Sequence, residues 1–262
     1  MKDAKSALIA LLALLLIASG SLTVKLAWPD FQYRIRAARS ESDHVPGTLR
    51  GARSALHKAV LTGDPLEAAR AVSQGAEPNA LAEWCSRYYQ FVYTPALHIA
   101  AERGDLTMMK ALLSLGACAE ARQWPGGETA LHVAAINRGS TEIPWLAARI
   151  DPDSRDLFGQ TPLIDAALWG DSSTIKALLD AGADPMLRDC SDSSALDYAI
   201  AKNRPDAAAA LLRDPRVLAS TDLNALLADV ESRQYTERLA RVIRGWMEAT
   251  EDQPISRPEP TD

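Results

Sequence analysis

Residues 161–185 read TPLIDAALWGDSSTIKALLDAGADP, and the order of residue types in this stretch decides the fold. Leu163, Ala166 and Ala167 lie on a short helix whose alanines let a neighbouring helix approach closely without loss of helix propensity. Gly170 suits a left-handed turn. Leu178 and Leu179 give a second helix an apolar face, and Gly182 ends it.

Working outward, the same order recurs. SALHKAV (54–60), PALHIAA (95–101), TALHVAA (129–135), TPLIDAA (161–167) and SALDYAI (194–200) share one pattern, and their leucines at 56, 97, 131, 163 and 196 are 41, 34, 32 and 33 residues apart. A period near 33 marks a repeat architecture in which each unit buries its apolar face only against its neighbours. Gly63 and Gly104 repeat the turn of Gly170, with Asn203 as the next best residue at the equivalent place. Leu112 and Leu113, and Leu211 and Leu212, repeat the second helix. Gly75 and Gly116 repeat its end.

On these residues the chain resembles the ankyrin repeat family, whose signature centres on Thr-Pro-Leu-His-x-Ala-Ala with Gly-Ala-Asp at the end of the unit. Thr161, Pro162, Leu163, Ala166, Ala167, Gly170, Asp171, Leu178, Leu179, Gly182, Ala183, Asp184 and Pro185 carry the match. The resemblance implies an all-α solenoid of about five helix-turn-helix units with β-hairpin loops over residues 51–214, the first and last units being degenerate caps. It also implies that His57, His98 and His132 bond the backbone and order the turns, whereas a shared zinc site would need rings closer than successive units allow. Arg138 and Arg149 stand where the third unit should have glycines, and Ile164 replaces its neighbours' histidine, so an irregular junction is expected there.

Beyond the repeats, residues 215–249 read as a C-terminal helical cap, with two amphipathic helices over 221–249 closing the stack, the first capped by Asp222. Residues 250–262 are Pro-rich and acidic and read as a disordered tail. At the other end, residues 1–24 hold two lysines followed by an uncharged, mostly apolar run of 18 residues, Ala7 to Val24. Two readings stand: an uncleaved membrane anchor flanked by Trp28, Phe31 and Tyr33, or a signal peptide with Ala18, Ser19 and Gly20 at its cleavage site. Residues 25–50 read as a linker in which one short helix is the expectation.

The basic count after the run, Lys25, Arg34, Arg36 and Arg39, favours a cytoplasmic solenoid, whereas the basic tail with an early apolar core looks like an export signal. The expectation adopted is export. The 21 Arg against 7 Lys point by association to a high-GC bacterium, hence to an inner-membrane protein with its repeats in the periplasm or, after cleavage, a soluble periplasmic protein.

The formal charge of −6 provides no basic footprint for nucleic acid. No hydrolase elbow, zincin helix, Walker loop or dinucleotide fingerprint occurs, and no cofactor, metal or small-molecule substrate is expected. Ser173 and Lys176 match Ser-x-x-Lys without the partner motifs of penicillin-binding enzymes, at what reads as a solvated helix start. Cys85 and Cys118 lie in connections on either side of the second unit and are candidates for a disulfide, with free thiols as the alternative.

Protein binding is therefore the expected activity. The interval between Leu56 and Leu97 exceeds its neighbours by about eight residues, and the excess reads as an inserted hairpin finger carrying Trp84, Arg87, Tyr88, Tyr89, Phe91 and Tyr93, beside a hairpin with Trp124. A partner is expected to cover these rings, since Tyr, Trp and Arg are enriched at interface hot spots; covering by the first unit itself or by the Trp124 hairpin is the alternative. In the family, positions after the Ala pair face the concave groove, which here singles out Glu102, Arg103, Leu168 and Trp169; packing against the next unit is the alternative for the last two. The expected role is a scaffold or accessory protein for another envelope protein. The alternative is an immunity protein neutralising a periplasm-acting toxin.

Overall fold

Five helix pairs recur along the described residues of a computed structural model, which cover 48–49, 55–85, 92–137, 141–169, 171–232 and 237–252. The pairs are α1 (Ala55–Thr62) with α2 (Pro65–Ser73), α3 (Ala96–Glu102) with α4 (Leu106–Ser114), α5 (Ala130–Ile136) with α6 (Ile143–Ala147), α7 (Pro162–Trp169) with α8 (Ser172–Asp180) and α9 (Ala195–Ala201) with α10 (Pro205–Leu212). First helices pack in a row, α1 on α3, α3 on α5, α5 on α7 and α7 on α9. Ala100, Ala101, Ala134, Ala135, Ala166 and Ala167 are all buried in that row, which is why these positions are small.

In the first and second units two adjacent residues set the turn, a left-handed glycine and a capping aspartate. Gly63 and Gly104 have φ of 72° and 67°, and Asn203 takes the same region at 51°. The following aspartate then caps the second helix: Asp64 Oδ1 accepts from the Leu66 N–H at 2.9 Å, Asp105 Oδ1 from Met108 at 2.9 Å and Asp171 Oδ1 from Thr174 at 2.9 Å. Such caps satisfy donors that a helix cannot bond internally.

The third unit departs from this plan, as Arg138 and Arg149 foretold. Its second helix spans five residues where the others span eight or nine. Arg149 donates to the Trp145 carbonyl at 2.8 Å and lays its guanidinium 4.2 Å from that indole's centroid. The cation–π contact covers the short helix where a glycine-ended helix would have continued. Arg138 itself lies outside the described residues.

Between units the chain projects as fingers. β1 (Thr48–Leu49), β2 (Leu81–Cys85) and β3 (Val92–Pro95) form an antiparallel sheet in that order, with Glu83 opposite Tyr93 and Trp84 opposite Val92. Imidazole Nε2 atoms tie first helices to the next finger: His57 to the Thr94 carbonyl at 3.1 Å, His98 to Glu128 at 3.0 Å and His132 to Gln160 at 3.1 Å. The expectation that these histidines order the turns holds.

Past the repeats a short helix that the sequence reading did not assign, α11 (Pro215–Ser220), precedes the two expected over 221–249, α12 (Leu223–Ser232) and α13 (Glu237–Asp252). α13 packs on α10 with Leu239 and Ile243 buried, and it runs three residues beyond 249, into the segment read as disordered tail. Asp222 caps α12 as expected, accepting from Asn224 and Ala225. Among the described residues no helix is long and apolar enough to cross a membrane; Ala7–Val24 lies outside them.

The interior carries an unusual load of polar groups at the fourth unit. Asp165 is 0% exposed at the repeat position that Ile99 and Val133 fill in the two units before it. Burial, and then the Asp165 and Glu128 carboxyls, push Asp156 well above the usual carboxylate range. Its Oδ1 accepts from the Phe158 and Gln160 N–H groups at 2.8 Å, while Oδ2 is buried without a hydrogen-bond partner.

The histidines titrate in the opposite sense. To donate to a carbonyl, each Nε2 must carry a proton, and burial keeps the rings neutral, lowering His57, His98 to about 4 and His132 to about 3. An unfolded chain takes up these protons near pH 6.5 and the folded chain only at lower pH, about 4 for His98 and about 3 for His132, so acidification below 6.5 favours unfolding by up to about 1.4 kcal/mol per pH unit per histidine. Asp156, raised in the folded state, stabilises at low pH, and that contribution is lost as pH rises through its folded value. Asp156→Asn keeps the Oδ1 acceptor and removes the charge. Its urea-unfolding free energy is expected to gain on the parent between pH 5 and pH 8, and in its own profile to fall from pH 6.5 to pH 4.5. Parallel pH profiles for the two proteins would contradict the assignment of the buried charge.

Candidate protein-binding surface

The first finger sorts its side chains by strand alternation. Ala82, Trp84, Val92 and Thr94 point to one side and are buried; Leu81 and Tyr93 on the other are exposed. Trp84 is 2% exposed and donates its indole N–H to Glu102 Oε2 at 2.6 Å. The expectation that Trp84 is an exposed partner anchor is therefore corrected: its register turns it inward, where it fastens the finger to the end of α3. Glu102 is engaged by that bond, while Arg103 beside it is exposed.

Tyr93 stands outward, 44% exposed, and meets Trp124, 50% exposed, from the second finger. Their rings lie 5.7 Å apart at 57°, and their backbones exchange two hydrogen bonds, Tyr93 N to Trp124 O at 2.9 Å and Trp124 N to Tyr93 O at 2.8 Å. Backbone pairing of this kind holds two large rings on the surface at little entropic cost.

Arg87, Tyr88, Tyr89 and Phe91 lie outside the described residues. Leu168 is buried and Trp169 half-buried against the core; since α7 is packed between α5 and α9, Leu168 follows the packing alternative. Cys118 is a free, exposed thiol whose N–H donates to Asn79 Oδ1 at 2.7 Å. The expected Cys85–Cys118 disulfide is corrected on that ground, the Cys85 side chain lying outside the description. Cys190 is also free, and burial together with the carboxylates of Asp189 and Asp156 raises its thiol above the ordinary value, which disfavours the reactive thiolate. Ser173 donates to Asp171 at 2.7 Å and Lys176 pairs with Asp180 at 2.5 Å, so each is engaged by a different carboxylate. Among the described residues no cluster of His, Cys, Asp or Glu could hold a metal ion.

Sequence reading missed a second set of finger residues. Arg122, Arg155 and Arg188 are spaced by 33 residues; the first two each clip their own finger to the next, and the third bonds within its own unit. Arg122 Nη1 donates to the Gly127 and Arg155 carbonyls, both at 2.7 Å. Arg155 Nη1 donates to Gly159 at 3.2 Å and Arg188 at 2.7 Å. Arg188 Nη1 donates to Asp192 at 2.6 Å and reaches the Asp197 carboxylate at 3.2 Å. The regular spacing was the signal available in the sequence.

The finger–helix–turn–helix unit of the structure is the one that known proteins share. A sequence profile described as Ankyrin repeats (3 copies) matches residues 56–156 and 142–224. The chain is 38% identical over 122 residues to Neurogenic locus notch homolog protein 1 of Danio rerio, covering 45% of this chain and 5% of that protein. The Xenopus laevis protein of the same name gives 38% over 121 residues, with the same coverage. Ankyrin repeat protein nuc-2 of Neurospora crassa is 35% identical over 108 residues, 39% of this chain and 10% of that protein. This chain thus spans a tenth or less of those relatives, and the repeats are the common ground. With more than half of its length inside the matched profile, and with helix pairs, left-handed turns and projecting fingers recurring through the structure, the chain belongs to the ankyrin repeat family.

Proposed function

We propose that this chain, whose ankyrin repeats indicate a protein–protein interaction module, serves as a scaffold or accessory protein for another protein of the bacterial envelope, tethered through Ala7–Val24 with its repeats in the periplasm. The observation that carries the binding half of this reading is the Tyr93–Trp124 pair, two large exposed rings held by reciprocal backbone bonds on adjacent fingers. Rigid, exposed aromatics are the commonest interface anchors. The tether half rests on the length and apolarity of residues 7–24 and on the aromatic residues that follow at interface depth.

Both halves are open to test. Tyr93→Ala and Trp124→Ala, made singly, are expected to leave the melting temperature within a few degrees while weakening capture of an envelope partner by about tenfold or more, equivalent to about 1.4 kcal/mol. Loss of stability with intact capture would move these rings to a structural role. Separately, the full chain is expected in the membrane fraction after a carbonate wash. Recovery as a soluble protein beginning at or near Ser21 would replace the anchor by a cleaved signal.

A further inference from the structure

Three successive fingers repeat one exposed–buried–exposed triplet: Arg122-Gln123-Trp124, Arg155-Asp156-Leu157 and Arg188-Asp189-Cys190. The middle residue is buried each time, and the outer two are exposed. That pattern leaves the arginine and its apolar neighbour on the outer side of each finger. Leu157 is 57% exposed, more than Trp124.

Neighbouring fingers are locked in register. Besides the arginine clips, Leu157 N donates to Gly126 O at 2.9 Å and Cys190 N to Phe158 O at 3.0 Å. The result is two parallel rows across the fingers, one cationic and one apolar that continues the Tyr93–Trp124 stack. Arg188 shares its charge with Asp197 at 3.2 Å, but Arg122 and Arg155 have no carboxylate within ion-pair distance among the described residues. Each guanidinium has five N–H donors and spends Nη1 on backbone carbonyls. The remaining donors suit a carboxylate, which arginine takes in fork geometry.

We propose that this face receives an extended, acidic segment of the partner protein, its carboxylates on Arg122 and Arg155 and its apolar side chains on Trp124 and Leu157. Helix rows packed about 8–10 Å apart set the finger spacing, and a segment extended as polyproline II, about 3.1 Å per residue with three residues per turn, covers that distance in one turn and returns its side chains to the same face, so acidic and apolar side chains recur at that interval in the segment. Asp156 and Asp189 lie on the opposite, buried side of the fingers and do not contest the row. Arginine beside tryptophan also suits single-stranded nucleic acid, but the overall charge of −6 opposes a long polyanion and favours a short acidic segment held locally. This inference rests on the reading of the Tyr93–Trp124 face as the binding surface.

The test uses the full chain in detergent and a fluorescent peptide of four Glu-Val-Asp triplets, followed by anisotropy. Binding is expected, weakening with added salt. Arg122→Gln combined with Arg155→Gln, which keeps an amide donor for the clipped carbonyls, is expected to lower affinity by about tenfold or more with melting unchanged. Should that variant unfold, a peptide of Lys-Val-Lys triplets tests the same point on the parent, and its failure to bind is the supporting result. Equal binding of the two peptides, indifference of the acidic one to the arginine changes, or preferential binding of oligouridine or phosphatidylglycerol vesicles would overturn the proposal. If Trp124→Ala abolishes capture of the envelope partner while the arginine changes leave it intact, the binding face stands and the acidic chemistry falls; if neither variant affects capture, both fall.

Discussion

The hydrogen bond from a first-helix imidazole to the carbonyl at the base of the next finger is the interaction on which the rest of this structure depends. It is made by His57, His98 and His132. Helix packing alone would leave the fingers free to pivot, since their backbones pair chiefly with one another. The imidazole fixes each finger to the helix row behind it. The bond is inside the protein, where an unmade polar group costs about 1–3 kcal/mol, so neighbouring units are coupled through buried polarity as well as apolar contact.

At the fourth unit the device changes. Ile164 has no ring nitrogen to offer, and the link between the third and fourth fingers passes through Tyr198, whose hydroxyl donates to Asp189 Oδ2 at 2.6 Å and lies 3.3 Å from Gln160 Nε2. Asp156 and Asp165 are buried in the same region. The junction therefore exchanges one neutral bond for a network whose energy depends on protonation. The arginine clips run through both regimes without interruption, which keeps the finger face continuous even where the core chemistry changes.

Much of this was legible in the sequence, for physical reasons that differ by element. The 33-residue period, the small residues of the first helices and the Gly-Asp turns are one-dimensional consequences of stacking, so they can be read from spacing alone. Asn203 at φ 51° and the short helix beside Arg149 likewise followed from which residues tolerate a left-handed turn. Side-chain direction on the first finger was not legible. Trp84 and Tyr93 differ only in register, and that register is fixed by the pairing of β2 with β3 and by the Glu102 carboxylate, eighteen residues away. The arginine row was missed because an arginine in a polar loop reads as a solvated charge until its backbone partners are seen. The two C-terminal helices over 221–249 were legible from their apolar spacing, whereas α11 before them was not, having six residues and burying only Val217 among them.

The account places recognition on the finger face and makes the outer helices support. Its most direct test is site-specific photo-crosslinking in the native cell, with a photoreactive amino acid introduced at position 124 or 157 on the fingers, or at position 110 or 176 on the exposed side of the outer helices. The account predicts a discrete adduct from positions 124 and 157 and none from 110 and 176. An adduct from the outer-helix positions with none from the fingers would contradict it.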